Sequence, residues 1–451
     1  MKENSESEKK EKKIEPAVLQ GFMELLPAEQ ILFDKMLNAI RRTYELFGFI
    51  PLDTALIEKV EVLLAKSGGE TAKQVYYLQK EGQALRVDLT ISLARYVASH
   101  YAELAFPFRR YQIGKVYRGE RPQKGRYREF YQCDIDIIGD GQLSLMNDAE
   151  IPSVICAVFN NLGFGPFTIR INNRKILKGF FNSLGIAGAR QAEVLRIVDK
   201  LEKIGQDAAR DELAEFGIPA EDISKIFAFI GISGKNQEII DQLRKTGIEN
   251  DDFTEGVREL EEVSAAVLRF GVPQENLAID LKIARGLDYY TGTVYETFLN
   301  DHPDLGSICS GGRYDNLADS YTSRSLPGVG ISIGFTRLFS KLLEKGIIKP
   351  EGSTLAQALI IPMDGQMDKA IEASAALRKK GISSAVYFEQ AKTAKAFKYA
   401  NRLGVPFAMI IGENEAKEGK VSLKDMASGE QELVSLEEAA EKIEEKSNNK
   451  K

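Results

Sequence analysis

The stretch "YRGERPQKGRYREFYQCDIDIIG", Tyr117–Gly139, sets four arginines and a lysine against an alternating run that carries two carboxylates. With the two-residue period of a β-strand, Glu129, Tyr131, Cys133, Ile135 and Ile137 share one mostly apolar face. Arg128, Phe130, Gln132, Asp134 and Asp136 share the other. A sheet packed on a core through one face and holding a ligand on the other gives this pattern, and so does a sheet with a solvated outer face. Phe130 among polar neighbours favours a stacking or packing role. Arg118, Arg121, Lys124 and Arg126 gather cations before the strand. Forked guanidiniums match phosphate oxygens two at a time, so such a cluster suits a polyphosphate. The preceding "FRRYQIGKVYRG" reads as the partner strand, joined through "ERPQKGRY", a connection longer than a two-residue hairpin turn. The chain has no GxxxxGK[ST] loop, and no Gly-x-Gly-x-x-Gly opens a helix after a strand. Phosphate would therefore be held by side chains on an antiparallel sheet.

Working outward, Pro27–Phe47 has helical apolar spacing, "QVYYLQKEGQALRVDLT" reads as a hairpin around Glu81-Gly82, and a helix is expected over Ile91–Tyr101. From Arg174 to Gly271 helical patterns dominate, as in "AEVLRIVDKLEKIG" and "DDFTEGVRELEEVSAAVLRFG". Strand character returns in "LAIDLKIARGLDYYTGTVYETFL", "SICSGGRYDNLA" and "GVGISIGFTRLFSKLLEKG". Beyond Ile347–Gln357, short apolar strands alternate with helices and end in a polar hairpin, the signature of a mainly parallel α/β domain. The expected boundaries are a charged tail over residues 1–18, a sheet domain over 19–173 and 272–346, a helical insertion over 174–271, and an α/β domain over 355–445.

The chain has 451 residues, 43% hydrophobic and 28% charged, with net charge −6. No apolar run approaches the roughly 20 residues that span a bilayer, and "MKENSESEKKEKKIEP" lacks the apolar region of a secretory signal. Three widely spaced cysteines suit a reducing cytoplasm and form no metal pattern. With only His100 and His302 present, histidine-based metal sites and Ser-His-Asp chemistry are disfavoured. A net negative chain is no generic nucleic-acid coat, although local basic surfaces remain open.

Other segments offer polar groups. In "RVDLT", Asp88 and Thr90 could cradle an ammonium, or either could cap the helix that follows. "ARGLDYYTGTVYE" (Ala284–Glu296), "SGGRYDNL" (Ser310–Leu317) and "GVGISIGFTRL" (Gly328–Leu338) each combine glycines with an arginine. Glycine inside a strand often marks close approach by a ligand, and each run could equally be a bulge, turn or cap. Together with "YRGERPQKGRYREF", the last three segments resemble the histidyl-tRNA synthetase family of class II aminoacyl-tRNA synthetases. "YRGERPQKGRYREF" resembles class II motif 2 and "GVGISIGFTRL" motif 3. "ARGLDYYTGTVYE" and "SGGRYDNL" resemble the two signatures peculiar to the histidine enzyme. The terminal α/β domain resembles the class IIa anticodon-binding domain.

The resemblance implies an α+β fold: a class II antiparallel-sheet catalytic domain with a helical insertion, plus a C-terminal α/β anticodon-binding domain. It implies a homodimer that uses ATP with Mg²⁺, histidine and tRNA(His), makes histidyl-adenylate and then histidyl-tRNA, and has no metal held by the protein alone. A non-catalytic regulatory subunit of ATP phosphoribosyltransferase is the alternative. It shares the catalytic fold but lacks the anticodon domain. By match, Arg118 would hold the α-phosphate, Arg285 would be the catalytic arginine, and Arg337 would hold the γ-phosphate end. Arg126 joins the ATP site and Phe130 stacks on adenine. Asp88, Thr90 and Gln132 would take the ammonium, and Asp136, Tyr290 and Tyr314, with Tyr289 beside them, the imidazole. The chain departs from pattern at Ala55, where motif 1 has proline, at Thr336, where many members have glutamate, and at Asp136, a glutamate in some. In the last domain, Lys392, Lys395, Lys398 and Arg402 fall at helical spacing, as an anticodon contact or as a solvated face.

Overall fold

The computed structural model describes residues 15–65, 72–120, 125–199, 201–283, 289–389 and 392–448. It divides into two compact units, one built chiefly from Ala39–Lys345, the other from Gly346 onward together with Leu25–Asn38.

The strands of the first unit are β1 (Ile50–Pro51), β2 (Ile57–Lys59), β3 (Gln83–Leu85), β4 (Phe108–Tyr117), β5 (Glu129–Ile138), β6 (Phe167–Asn173), β7 (Leu277–Ile279), β8 (Thr293–Leu299), β9 (Cys309–Tyr314) and β10 (Gly328–Gly334). Eight of them form one sheet in the order β1-β4-β5-β10-β9-β8-β6-β7. Its six central strands are antiparallel and its short edge strands parallel. The alternation in β5 has the cause read from the sequence. Cys133, Ile135 and Ile137 are fully buried on one face, with Val329, Ile331 and Ile333 of β10 beside them. The helix Leu145–Leu162 covers this face, its Asp148 carbonyl accepting from Tyr295 Oη at 2.8 Å. Tyr44 Oη donates to the Cys133 carbonyl at 3.0 Å. The other face lines an open cavity. Helices dominate the described residues of 174–269, including Arg174–Ser183 and Asp251–Arg269.

Of the two readings of "RVDLT", the helix cap holds for Asp88. Asp88 and Thr90 do not lie on a strand. β3 ends at Leu85, and Asp88 Oδ1 accepts the Ile91 N–H at 2.9 Å, so the helix begins at Thr90. The capping bond ends the extended run. The hairpin expected around Glu81-Gly82 forms as a short one: the Leu78 N–H donates to the Gln83 carbonyl and the Leu85 N–H to the Tyr76 carbonyl, both at 3.0 Å, while β3 pairs along its other edge with β2.

The second unit holds β11 (Ala358–Pro362), β12 (Ser384–Val386), β13 (Phe407–Ile411), β14 (Lys420–Asp425) and β15 (Gln431–Ser435), in the order β12-β11-β13-β14-β15. The first three are parallel and the last two antiparallel, so the sheet is mixed rather than mainly parallel. The closing hairpin does not finish the domain, because the helix Leu436–Asn448 follows and buries Ala439, Ala440 and Ile443 in the core. The fold is α+β, as expected. Among the described residues no helix is long and apolar enough to cross a membrane.

Candidate active site

The polar face of the sheet floors a cavity of about 1160 Å³. Strand register decides what meets there. Gln112, Asp134, Ser332, Ser310 and Glu296 form one row across β4, β5, β10, β9 and β8. Arg110, Asp136, Gly330, Gly312 and Val294 form the next. The glycines make room: a Cβ on Gly330 would lie 2.3 Å from Asp136 Oδ1, and one on Gly312 3.0 Å from the Tyr290 ring.

The floor is acidic, and its carboxyls are buried. Arg110, missed in the sequence, is fully buried, and its Nη2 lies 2.6 Å from Asp136 Oδ2. Tyr314 Oη donates to Asp136 Oδ1 at 2.7 Å. Burial pushes the Asp136 carboxyl up to about 6 against the opposing pull of Arg110 and the Tyr314 bond. Burial pushes Asp134 further, to about 7, again against Arg110 and with Asp136 adding to the rise. Asp88 is also raised by burial, partly offset by the Ile91 N–H. Gln132 Nε2 donates to Ser332 Oγ at 2.7 Å, while its buried Oε1 has no partner among the described residues. Burial holds the phenols of Tyr289, Tyr290 and Tyr314 protonated, and Tyr314 already spends its hydrogen on Asp136. The floor thus accepts hydrogen bonds and positive charge.

The rim is cationic. Arg118 Nε donates to the Val87 carbonyl at 2.9 Å, and its guanidinium sits 5.2 Å over the Phe130 ring. Arg337 Nη2 donates to the Leu305 carbonyl at 2.9 Å. Burial, then the neighbouring Arg126 charge, lowers the hold of Arg337 on its proton. Arg126 and Lys341 line the same wall. Like charges gathered around an open space fit a polyanion. Thr336 carries no charge into the site. It is buried, and its hydroxyl accepts the Tyr131 N–H at 2.8 Å. Ala55 is exposed.

Arg118, Arg126, Phe130, Arg337, Asp88, Thr90, Gln132, Asp136, Tyr289, Tyr290 and Tyr314 all line the cavity. Arg285, with Arg121 and Lys124, lies outside the described residues. The arginine of "SGGRYDNL" is a correction. Arg313 does not reach the site, because it points to the opposite face and binds Asp148, Nε to Oδ1 at 3.0 Å and Nη2 to Oδ2 at 2.5 Å. Strand alternation sends it away from its neighbour Tyr314. In the second unit, Lys392, Lys395, Lys398 and Arg402 are exposed on and beside the helix Thr393–Leu403, which buries Ala396 and Ala400. Phe388 and Tyr399 are exposed aromatics nearby in sequence.

Residues 21–338 match the family model of histidyl-tRNA synthetase, and residues 357–446 match the anticodon binding domain. A histidine–tRNA ligase of Clostridium tetani is 58% identical over 429 residues, covering 94% of this chain and 97% of the relative. One of Xanthomonas axonopodis pv. citri is 49% identical, covering 95% of each. The crystal structure of histidyl-tRNA synthetase from Nostoc sp. PCC 7120 superposes with a TM-score of 0.88 at 43% identity, covering 96% of this chain and all of that one. A Bacillus halodurans structure described as an ATP phosphoribosyltransferase regulatory subunit/histidyl-tRNA synthetase, 21% identical with a TM-score of 0.73, shares the fold.

Proposed function

Because the chain belongs to the histidyl-tRNA synthetase family and ligates histidine to tRNA at the expense of ATP, we propose that both substrates of the first step meet in this one cavity. The observation that carries the reading is a cationic rim and a carboxylate floor enclosed together. Histidine lies on the floor. Its ammonium is held by Asp88, Thr90 and the unpartnered Oε1 of Gln132, and its ring by Asp136, Tyr290 and Tyr314, with Tyr289 beside them. A buried acceptor facing a protonated phenol gives each ring nitrogen a partner, and a substrate lacking those nitrogens leaves both unpaired. ATP lies along the rim: Phe130 stacks on adenine, Arg118 holds the α-phosphate, and Arg126 and Arg337 hold the γ-phosphate end.

In activation, the histidine carboxylate oxygen attacks the α-phosphorus and pyrophosphate leaves. Negative charge grows on the α-phosphate oxygens, and fixed guanidiniums aimed there lower the barrier. We assign Arg285 to that task with Arg118. The histidyl group then passes to a ribose hydroxyl of the terminal adenosine. Mg²⁺ enters with ATP and neutralises polyphosphate charge. Among the described residues no cluster of three His, Cys, Asp or Glu side chains forms a cage. An ion held mainly by phosphate, with carboxylates such as Glu120 and Glu296 on the wall, fits that wall. The cytoplasm is the compartment that holds these substrates. A homodimer is supported by the apolar side chains of Leu46, Ile50, Leu56 and Ile57, all exposed around the motif 1 segment. We propose that Lys392, Lys395, Lys398 and Arg402 contact tRNA phosphates.

Histidine-dependent ATP–pyrophosphate exchange tests the site. Arg118→Ala and Arg285→Ala should each abolish exchange with tRNA binding retained. Exchange that survives Arg285→Ala removes the role given to that residue.

A further inference from the structure

Arg110 stands at the β4 end of the row that runs through Asp136, Gly330 and Gly312, and none of the roles above uses it. It is fully buried and lies behind the cavity lining, so it can act on a ligand only through another group. Its Nη2 meets that group: Asp136 Oδ2 is 2.6 Å away. The same nitrogen donates at 3.4 Å to the carbonyl of Leu89, which stands between Asp88 and Thr90 at the helix start. One guanidinium therefore ties the carboxylate at the ring end of the floor to the backbone at its ammonium end. Stability does not account for this placement. Nε and Nη1 of Arg110 have no hydrogen-bond partner among the described residues. Buried donors without partners cost stability, and a buried ion pair is often matched by apolar side chains of the same volume.

The neighbours of Asp136 show what the guanidinium does there. Tyr314 Oη occupies Oδ1 at 2.7 Å, Gly330 on β10 brings no side chain, and Arg110 on β4 faces Oδ2. Oδ2 accepts no hydrogen bond of good geometry from a described residue, so an acceptor is left for a ring N–H. Burial favours the neutral carboxyl, and a proton on Oδ2 would turn that acceptor into a donor. The Arg110 charge pulls the other way. We propose that Arg110 is a positioning residue for histidine: it fixes the Asp136 carboxylate as the ionised acceptor that takes the ring N–H of the substrate. The inference rests on the placement of histidine in this cavity. The role is confined to binding histidine, and the polyphosphate belongs to the rim.

The test is histidine-dependent ATP–pyrophosphate exchange by full-length variants, each checked for folding by circular dichroism. Arg110→Met removes the charge and keeps most of the side chain's length. Its KM for histidine should rise by about 10- to 150-fold, the loss of one charge-assisted contact, while its KM for ATP stays within about threefold of wild type. Arg110→Gln serves if the methionine variant does not fold, with the same rise expected. Arg110→Lys restores a cation, and since one nitrogen makes both contacts, it should return the histidine KM to within about fivefold of wild type. In calorimetric titration of histidine, adding Arg110→Met to Asp136→Asn should weaken binding by no more than about threefold beyond Asp136→Asn alone, because Arg110 acts through that carboxylate. A histidine KM within about threefold of wild type in the uncharged variants overturns the proposal. So does an ATP KM that rises as far as that for histidine, a lysine variant no better than the methionine one, or additive losses in the double variant. If Asp136→Asn weakens histidine binding while Arg110→Met does not, only this inference falls. If neither variant alters binding, the histidine site itself is misplaced.

Discussion

Replacing Arg337 by lysine keeps the charge on the cavity wall and removes the fork. One guanidinium nitrogen is committed to the Leu305 carbonyl at 2.9 Å, which fixes the head, and the remaining N–H groups line the cavity beside Arg126. Lysine gives up both the anchor and the two-pronged grip. The loss is one charge-assisted hydrogen bond or two, about 1.5–3 kcal/mol. That corresponds to a fall of about 10- to 150-fold in kcat/KM for ATP. Steady-state exchange at varied ATP and saturating histidine measures it. The KM for histidine should stay within about threefold of wild type, because Arg337 belongs to the rim and not to the floor. A loss smaller than threefold, or one carried by the histidine KM, would show that Arg337 does not hold the polyphosphate.

Three further outcomes are expected. Asp148→Asn breaks the buried pair with Arg313 and should cost about 3–5 kcal/mol in urea unfolding. Exchange by the folded variant should be unchanged, since the pair lies behind the sheet; lost exchange would return Arg313 to the site. The raised Asp134 carboxyl is a stabilising proton holder in the ligand-free protein, fully so below the unfolded value of about 3.9, and that stability is lost as pH rises through about 7. The advantage of ligand-free Asp134→Asn over wild type should therefore be larger at pH about 8 than at pH about 5 by on the order of 3 kcal/mol, by urea midpoint; a pH-independent difference would contradict the burial argument. Replacing Lys395 and Lys398 together by alanine should weaken tRNA binding and flatten its salt dependence by about one to two in log–log slope, with exchange untouched. An unchanged slope would make this a solvated face.

Much of the site was legible in the sequence, since a central strand with one dry face prints its alternation directly. Phe130, Gln132, Asp134 and Asp136 were placed on one face by counting in twos, and they share it. The same count on β4 joins Arg110 to Gln112, but the doublet Arg109-Arg110 looks like ordinary surface charge until register sets Arg110 against Asp136. In β9 the alternation that brings Tyr314 inward sends Arg313 outward, so reading every glycine-flanked arginine as a ligand overcounted. The bond that Gln132 donates to Ser332 was not legible, because only the pairing of β5 with β10 brings the two together. The helix Leu436–Asn448 was hidden by its glutamates and lysines, although Leu436, Ala440 and Ile443 carry its inward stripe.

The most direct measurement is a crystal structure of the protein with histidine and a non-hydrolysable ATP analogue. Density should show the Arg118 and Arg337 heads within hydrogen-bond distance of phosphate oxygens, and the imidazole between Asp136 and the tyrosines of the floor. An analogue bound elsewhere, or those two guanidiniums turned to solvent beside an occupied cavity, would contradict the reading of rim and floor.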